Sequence, residues 1–205
     1  MPPPATASCS PAGILQPPFF DANADDATNY GAIGTVIGHE TTHHFDDRGR
    51  QFNAVGNLRD GCAAEDAAMY KARAERVAQL YGRYEPLPGV RINGHPMLGE
   101  NISDFGGVAV AFDGLQIALE RRRKAGEPLQ LVNGQAPEQR LFTADAVVWR
   151  GKIREEALLN QLRTGSHSPG RYRVLGLLSN FPPFAKALGC EKGDAMVAAE
   201  PVIVR

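Results

Sequence analysis

Val36-Ile37-Gly38-His39-Glu40-Thr41-Thr42-His43-His44-Phe45 is the stretch from which the rest of the chain is read. Ile33, Val36, Ile37 and His43 recur at helical spacing. This predicts a helix over residues 30–45 with Asn29 as its N-cap and Asp46-Asp47-Arg48-Gly49 as its end. Positions i and i+4 share one helix face, so His39 and His43 present two imidazoles to one point in space. Two neutral imidazoles suit Zn²⁺, which binds nitrogen at about 2.0–2.1 Å. Glu40, one residue round the helix, stands beside that point, where a general base reaches a water rather than the metal. A His-Glu-x-x-His match arises by chance in a chain of this size on the order of once in a few hundred. The competing reading, an amphipathic helix with surface histidines, fits poorly with the apolar, β-branched pair just before His39, which favours a buried helix.

Working outward, residues 1–18 are rich in Pro and small residues and favour extended chain, with an edge strand at 13–16. Residues 21–28 are small and acidic and read as a loop. A second helix is expected at 64–82, where Ala68, Tyr70, Ala74, Val77, Leu80 and Tyr81 build a stripe, and Pro86-Leu87-Pro88-Gly89 breaks it. Further helices are expected at 99–123, kinked near Gly106-Gly107, at 137–149 and at 155–163. Residues 164–169 read as a loop and 172–178 as a strand or short helix. The fold class is mainly α with a small β component.

The bulk numbers bound the function. A chain of 205 residues with 43% hydrophobic and 22% charged residues makes one globular domain, or one with a small appendage. A net charge of −1 points to neither nucleic acid nor an anionic membrane surface. No continuous apolar run reaches the ~18 residues that span a bilayer. Met1-Pro2-Pro3-Pro4-Ala5 has neither a basic start nor an apolar block, so a signal peptide is not expected. Cys9, Cys62 and Cys190 form no Cys-x-x-Cys pair, which argues against a thiolate metal site.

A catalytic zinc site generally takes three protein ligands and leaves the fourth position for water. The remaining candidates are His44, His95, Glu100, Asp104 and His167. His44 points about 100° away from His43 and is expected to be exposed. His95, in an Asn-Gly-His-Pro turn, is also expected to face solvent. Glu100 and Asp104 form another i, i+4 pair, in which one carboxylate can bind metal while the other accepts a hydrogen bond from a ligand imidazole. Spacing alone balances that reading against an acidic helix N-terminus stabilised by the macrodipole.

Pro11-Ala12-Gly13-Ile14-Leu15-Gln16-Pro17-Pro18-Phe19-Phe20, Asn29-Tyr30-Gly31 and the segment from Val36 to Arg50 resemble the neprilysin (M13) family of metallopeptidases. So do Gly99-Glu100-Asn101-Ile102-Ser103-Asp104-Phe105-Gly106-Gly107 and His167-Ser168-Pro169-Gly170-Arg171-Tyr172-Arg173-Val174. The resemblance implies a truncated zincin (gluzincin) catalytic domain over residues 19–205, behind the Pro-rich segment 1–18. It implies one Zn²⁺ held by His39, His43 and Glu100, with Asp104 supporting a ligand and Glu40 as general base. It places the transition-state histidine at His167 and the arginine that holds substrate carbonyls at Arg173. It lines the pocket for the residue after the scissile bond with Phe105 or Phe19, Val148 and Trp149, so that peptides with a large apolar residue there are the expected substrates. The family is often extracytoplasmic.

The chain departs from the family pattern in several places. The large helical N-terminal part that covers the cleft and the Asn-Ala edge strand have no counterpart. Gly165 replaces an aspartate two residues before His167, Gly61-Cys62 replaces a Trp pair, and the chain ends Ile203-Val204-Arg205. These departures imply a C-terminal catalytic fragment or truncated relative, whose uncovered apolar surface, including Phe19, Phe20 and Trp149, invites self-association or a partner chain. The alternative is a zinc-binding remnant with little activity that serves as an interaction or regulatory module.

Overall fold

Asp25 opens the helical part of the chain. In the computed structural model, which describes residues 11–59 and 62–204, its carboxylate accepts from the amides of Ala27 (3.0 Å) and Thr28 (3.3 Å) and caps α1, Asp26–Asn29. Residues 1–10 with Cys9, and Gly61, lie outside the described residues, so the expectations placed on them are not followed further. Asn29, the cap expected from the sequence, is the last residue of α1. Its side-chain amide bonds the Asp21 main chain on both sides, at 2.8 and 3.1 Å, and ties the helix to the preceding turn. A charged acceptor at residue 25 starts the helix one turn earlier.

α1 passes through a π turn, Tyr30–Gly34, into α2, Thr35–Thr42, which a 3-10 turn, His43–Phe45, brings to its end. The wider turn coincides with close packing: a Cβ on Gly31 would lie 2.0 Å from the Leu141 carbonyl oxygen. Upstream, the strand expected at 13–16 is absent. Ala12–Ile14 is a 3-10 turn: among the described residues no strand edge lies beside it, and the flanking prolines have no N–H to pair. Residues 16–19 are tied to the π turn by the bond from the Ile33 amide to the Phe19 carbonyl (2.9 Å).

α3, Ala64–Gly82, has the expected extent and buries Ala74, Val77, Leu80 and Tyr81, whereas Ala68 is exposed. α4, Leu98–Lys124, is unbroken, contrary to the kink expected at Gly106-Gly107. Those glycines admit a neighbour instead. A Cβ on Gly38 would lie 2.7 Å from the Gly107 carbonyl oxygen, and one on Gly107 would lie 2.6 Å from that of Thr35. α2 and α4 therefore meet backbone to backbone, which sets the histidine face of α2 against the acidic start of α4.

By length and composition α4 suits a membrane span, although polar residues interrupt its apolar sequence. Half of its apolar window is buried in the fold, where Ile102, Phe105, Val108, Ala111, Leu115 and Leu119 serve as core.

α5, Pro137–Val148, and α6, Glu155–Thr164, follow the sequence expectation. The ambiguous segment after residue 169 is helix α7, Gly170–Leu178, and α8, Pro182–Leu188, ends on Gly189 in the left-handed region (φ 67°). Among the described residues the β component reduces to isolated bridges such as Phe52 with Leu58. The core gathers Val77, Tyr81, Met97, Leu115, Leu141, Phe142 and Leu177 from α3, α4, α5, α7 and the turn before α4. Phe142 packs on Phe112 at 5.8 Å and edge-on to Phe181 at 5.9 Å. Each such side chain contributes roughly 1.5–3 kcal/mol on burial.

Candidate metal centre and active site

His39 and His43 project from one face of the helix that ends α2, with ring centroids 4.6 Å apart and planes at 87°. The Nδ1 atom of each ring is held by a carboxylate. His39 Nδ1 lies 2.9 Å from Asp104 Oδ1, and His43 Nδ1 lies 2.7 Å from Asp46 Oδ2. This leaves Nε2 of both rings facing Glu100, at 3.3 Å from Oε2 and 3.7 Å from Oε1 respectively. Ligand atoms of His39, His43 and Glu100 all fall within 4.8 Å of one another.

The chemistry of this donor set fits Zn²⁺: two imidazoles with their outer nitrogens fixed by carboxylates, and one carboxylate. The electrostatics agree. Burial opposes a charged His39, yet hydrogen bonds to Asp104 and Glu100 carry its pKa up to about 9. Burial likewise works against an ionised Glu100, but the His39 hydrogen bond and the charges of His167, His39 and His43 hold it below the ordinary carboxylate value. The cluster favours positive charge at its centre.

Asp46 was read from the sequence only as part of a helix terminator. In the structure it is buried and positions His43. Its Oδ1 accepts from the amides of Arg48 (2.8 Å) and Gly49 (2.7 Å), so its other oxygen is aimed at the imidazole. Burial raises its pKa, and the His43 and backbone hydrogen bonds outweigh that and lower it. The signal in the sequence was an acid three residues after a ligand, at the point where the helix tightens. Asp46→Ala should weaken metal binding by about 10–100-fold. Competition with a chelator measures this, and unchanged affinity would reduce Asp46 to a turn former.

Asp104 is the second anchor, and it is shared. Its carboxylate takes bonds from Arg173 Nε (2.7 Å) and NH2 (2.5 Å) as well as facing His39, and Trp149 covers the guanidinium at 3.9 Å. Arg173 and Asp104 are both 6% exposed, so each neutralises a charge that would otherwise be buried alone.

His167, at the end of the loop before α7, places Nε2 3.1 Å from Glu100 Oε2. Gly165 offers no side chain to His167, but Ser166 Oγ lies 3.0 Å from His167 Nδ1, and Gln161 donates to the His167 carbonyl at 3.2 Å. His167 thus has a neutral partner at Nδ1 and a carboxylate at Nε2.

The metal cluster opens into a cavity of about 410 Å³ whose wall includes Phe19, Val36, Glu40, Val108, Asp145, Trp149, His167, Arg173 and Leu177. Glu40 is exposed there beside the two imidazoles. Phe105 and Val148, expected in this wall, do not border it. Phe105 follows Asp104 on α4, is turned into the core and is 5% exposed, and Val148 is half-buried on a different face of α5 from Trp149. His44 is exposed, and His95 is bound to Glu75 of α3 at 3.0 Å.

The model of Peptidase family M13 matches residues 4–202. The chain belongs to that family. Over 189 residues it is 44% identical to Neprilysin-2 of Drosophila melanogaster and 41% identical to human Neprilysin, matches that cover 91% of this chain and 24% and 25% of those proteins. It thus spans about a quarter of the length of the curated relatives it matches. Among solved structures, the zinc metalloprotease Zmp1 of Mycobacterium tuberculosis in complex with an inhibitor superposes with a TM-score of 0.89 at 37% identity, covering 95% of this chain and 30% of that one. PepO of Lactobacillus rhamnosis superposes at 0.79 with 30% identity, over 92% of this chain and 28% of that one. The M13 likeness extends over the whole helical scaffold that carries His39, His43, Glu100, His167 and Arg173.

Proposed function

We propose that this chain is the catalytic portion of a zinc endopeptidase in which His39, His43 and Glu100 hold one Zn²⁺ and Glu40 is the general base. The observation that carries the reading is the convergence of three donor atoms, with both imidazoles anchored from behind by carboxylates and Glu40 exposed on the same cavity wall. Zinc, when bound, supplies Lewis acidity toward water and a peptide carbonyl. Glu40 accepts the proton of the attacking water and delivers it to the leaving amine. His167 donates toward the oxygen on which negative charge develops, from a loop fixed by Ser166 and Gln161. Arg173 gives two N–H groups to Asp104 and keeps the others for substrate carbonyls.

Phe19, Val36, Val108, Trp149 and Leu177 give the cavity apolar walls, which supports a large side chain after the scissile bond. Glu40 and His167 are exposed, which supports weak size selection. Phe19, Phe20 and Trp149 are half-buried, so the exposed large apolar side chains open to a second copy or a partner are others, such as Ile37, Phe45, Val110 and Ile117.

Cleavage of a short fluorogenic peptide and of an unfolded protein, with zinc and with a chelator, tests the reading. Zinc-dependent cleavage of both at low rate is expected. Efficient cleavage of the peptide with the protein ignored would require a closed cleft. Bound zinc with no cleavage of either would favour the non-catalytic remnant.

A further inference from the structure

Asp145 lies on α5 one turn before Trp149 and shares the cavity wall with it. It is 2% exposed, and its Oδ2 has no hydrogen-bond partner among the described residues. Such an oxygen is costly to bury, and an apolar residue at this position would complete the wall without that cost. Burial first, and then the charge of Asp104, push its pKa up to about 8. The nearby groups that could satisfy it are engaged elsewhere. The Thr35 hydroxyl lies beside the carboxyl, but its single proton has the carbonyl oxygens of Ala32 (2.8 Å) and Gly31 (3.1 Å). The Arg173 guanidinium gives two N–H groups to Asp104 beneath Trp149, and none of its N–H groups reaches Asp145 Oδ2. Asp104 itself has both oxygens occupied, by Arg173 and by His39. Glu40 also stands on this wall but is exposed, so the buried acceptor without a partner is Asp145 Oδ2.

We propose that Asp145 is a specificity-determining residue that receives the cationic end of a lysine or arginine side chain, whose methylene stem lies along Val36, Val108, Trp149 and Leu177. A long aliphatic stem with a charged tip matches apolar walls and a single buried acceptor, whereas a purely apolar side chain leaves Oδ2 unsatisfied. The cation also favours the ionised form of Asp145, which burial and the charge of Asp104 oppose. The proposal rests on the peptidase reading for which part of a peptide enters the cavity.

The test separates binding from hydrolysis. Zinc-loaded Glu40→Gln chain is titrated calorimetrically with two peptides identical except for lysine or norleucine at the position after the bond that would be cut. The lysine peptide should bind roughly 10- to 100-fold more tightly. Asp145→Asn, close in shape, and Asp145→Leu, which removes the acceptor, should each erase most of that preference while full zinc content and an unchanged helical circular dichroism spectrum report an intact fold. Equal or tighter binding of norleucine by the parent, failure of both peptides to bind, or a lysine preference that survives both substitutions would overturn the proposal. Hydrolysis by the chain with Glu40 intact is scored apart: lysine-selective binding without cleavage sinks the endopeptidase reading and leaves this one standing.

Discussion

Glu40→Gln should keep a full equivalent of zinc and lose peptide hydrolysis by about 10²–10⁴-fold. The amide matches the carboxylate in shape but cannot accept a proton. Glu40 is exposed and none of the metal-facing contacts runs through it, so the substitution leaves the positions of His39, His43 and Glu100 unchanged. Metal content by atomic absorption and turnover of a fluorogenic peptide are read on the same preparation. Hydrolysis at the parent rate would remove Glu40 from the mechanism. Parallel loss of metal and activity would mean that Glu40 serves the metal rather than the proton.

Replacing any one of His39, His43 and Glu100 by Ala should abolish stoichiometric metal binding and, with it, activity. Two ligands cannot hold the ion against a chelator, and each donor faces the same point. The stability that zinc adds to the parent by binding the folded state alone should disappear in the same variants, so that melting temperature no longer responds to zinc. Glu100→Ala is the most informative of the three. Glu100 also meets His167 at 3.1 Å and lies 3.6 Å from Arg173 Nη2, so its loss frees a histidine and leaves the buried guanidinium with Asp104 as its carboxylate and Trp149 as its cover. Full zinc retention in Glu100→Ala would move the third ligand elsewhere. His95 is a poor substitute because it is exposed and paired with Glu75 on α3.

The candidate metal-binding residues were legible because their spacing is local. His39 and His43 share a face through helical periodicity alone, and Glu100 and Asp104 do so on a second helix. Helix extents were legible for the same reason: the apolar stripe of α3 repeats at 3.6 residues and ends at a Pro-rich turn. The family resemblance then chose Glu100 over Asp104 as the ligand, a choice that spacing had left balanced.

The helical class of the fold and the pairing of candidate donors could be read along the chain, since both follow from which residues lie three and four positions apart. What stands behind and around those residues follows from packing between distant segments. Gly106-Gly107 reads as a kink along the chain, but in space it is the notch that lets α2 close on α4. Asp46 reads as a terminator, yet it aims His43 because the turn at Gly49 folds its carboxylate back. Phe105 and Trp149 read alike as pocket aromatics, but one turns into the core and the other covers Arg173. Asp145 gave no signal, because a single acid in an apolar helix acquires meaning only when Asp104, Thr35 and Trp149 are brought to it from positions far apart along the chain. Local periodicity is written in neighbouring residues, whereas burial and partnership depend on which distant segments pack together.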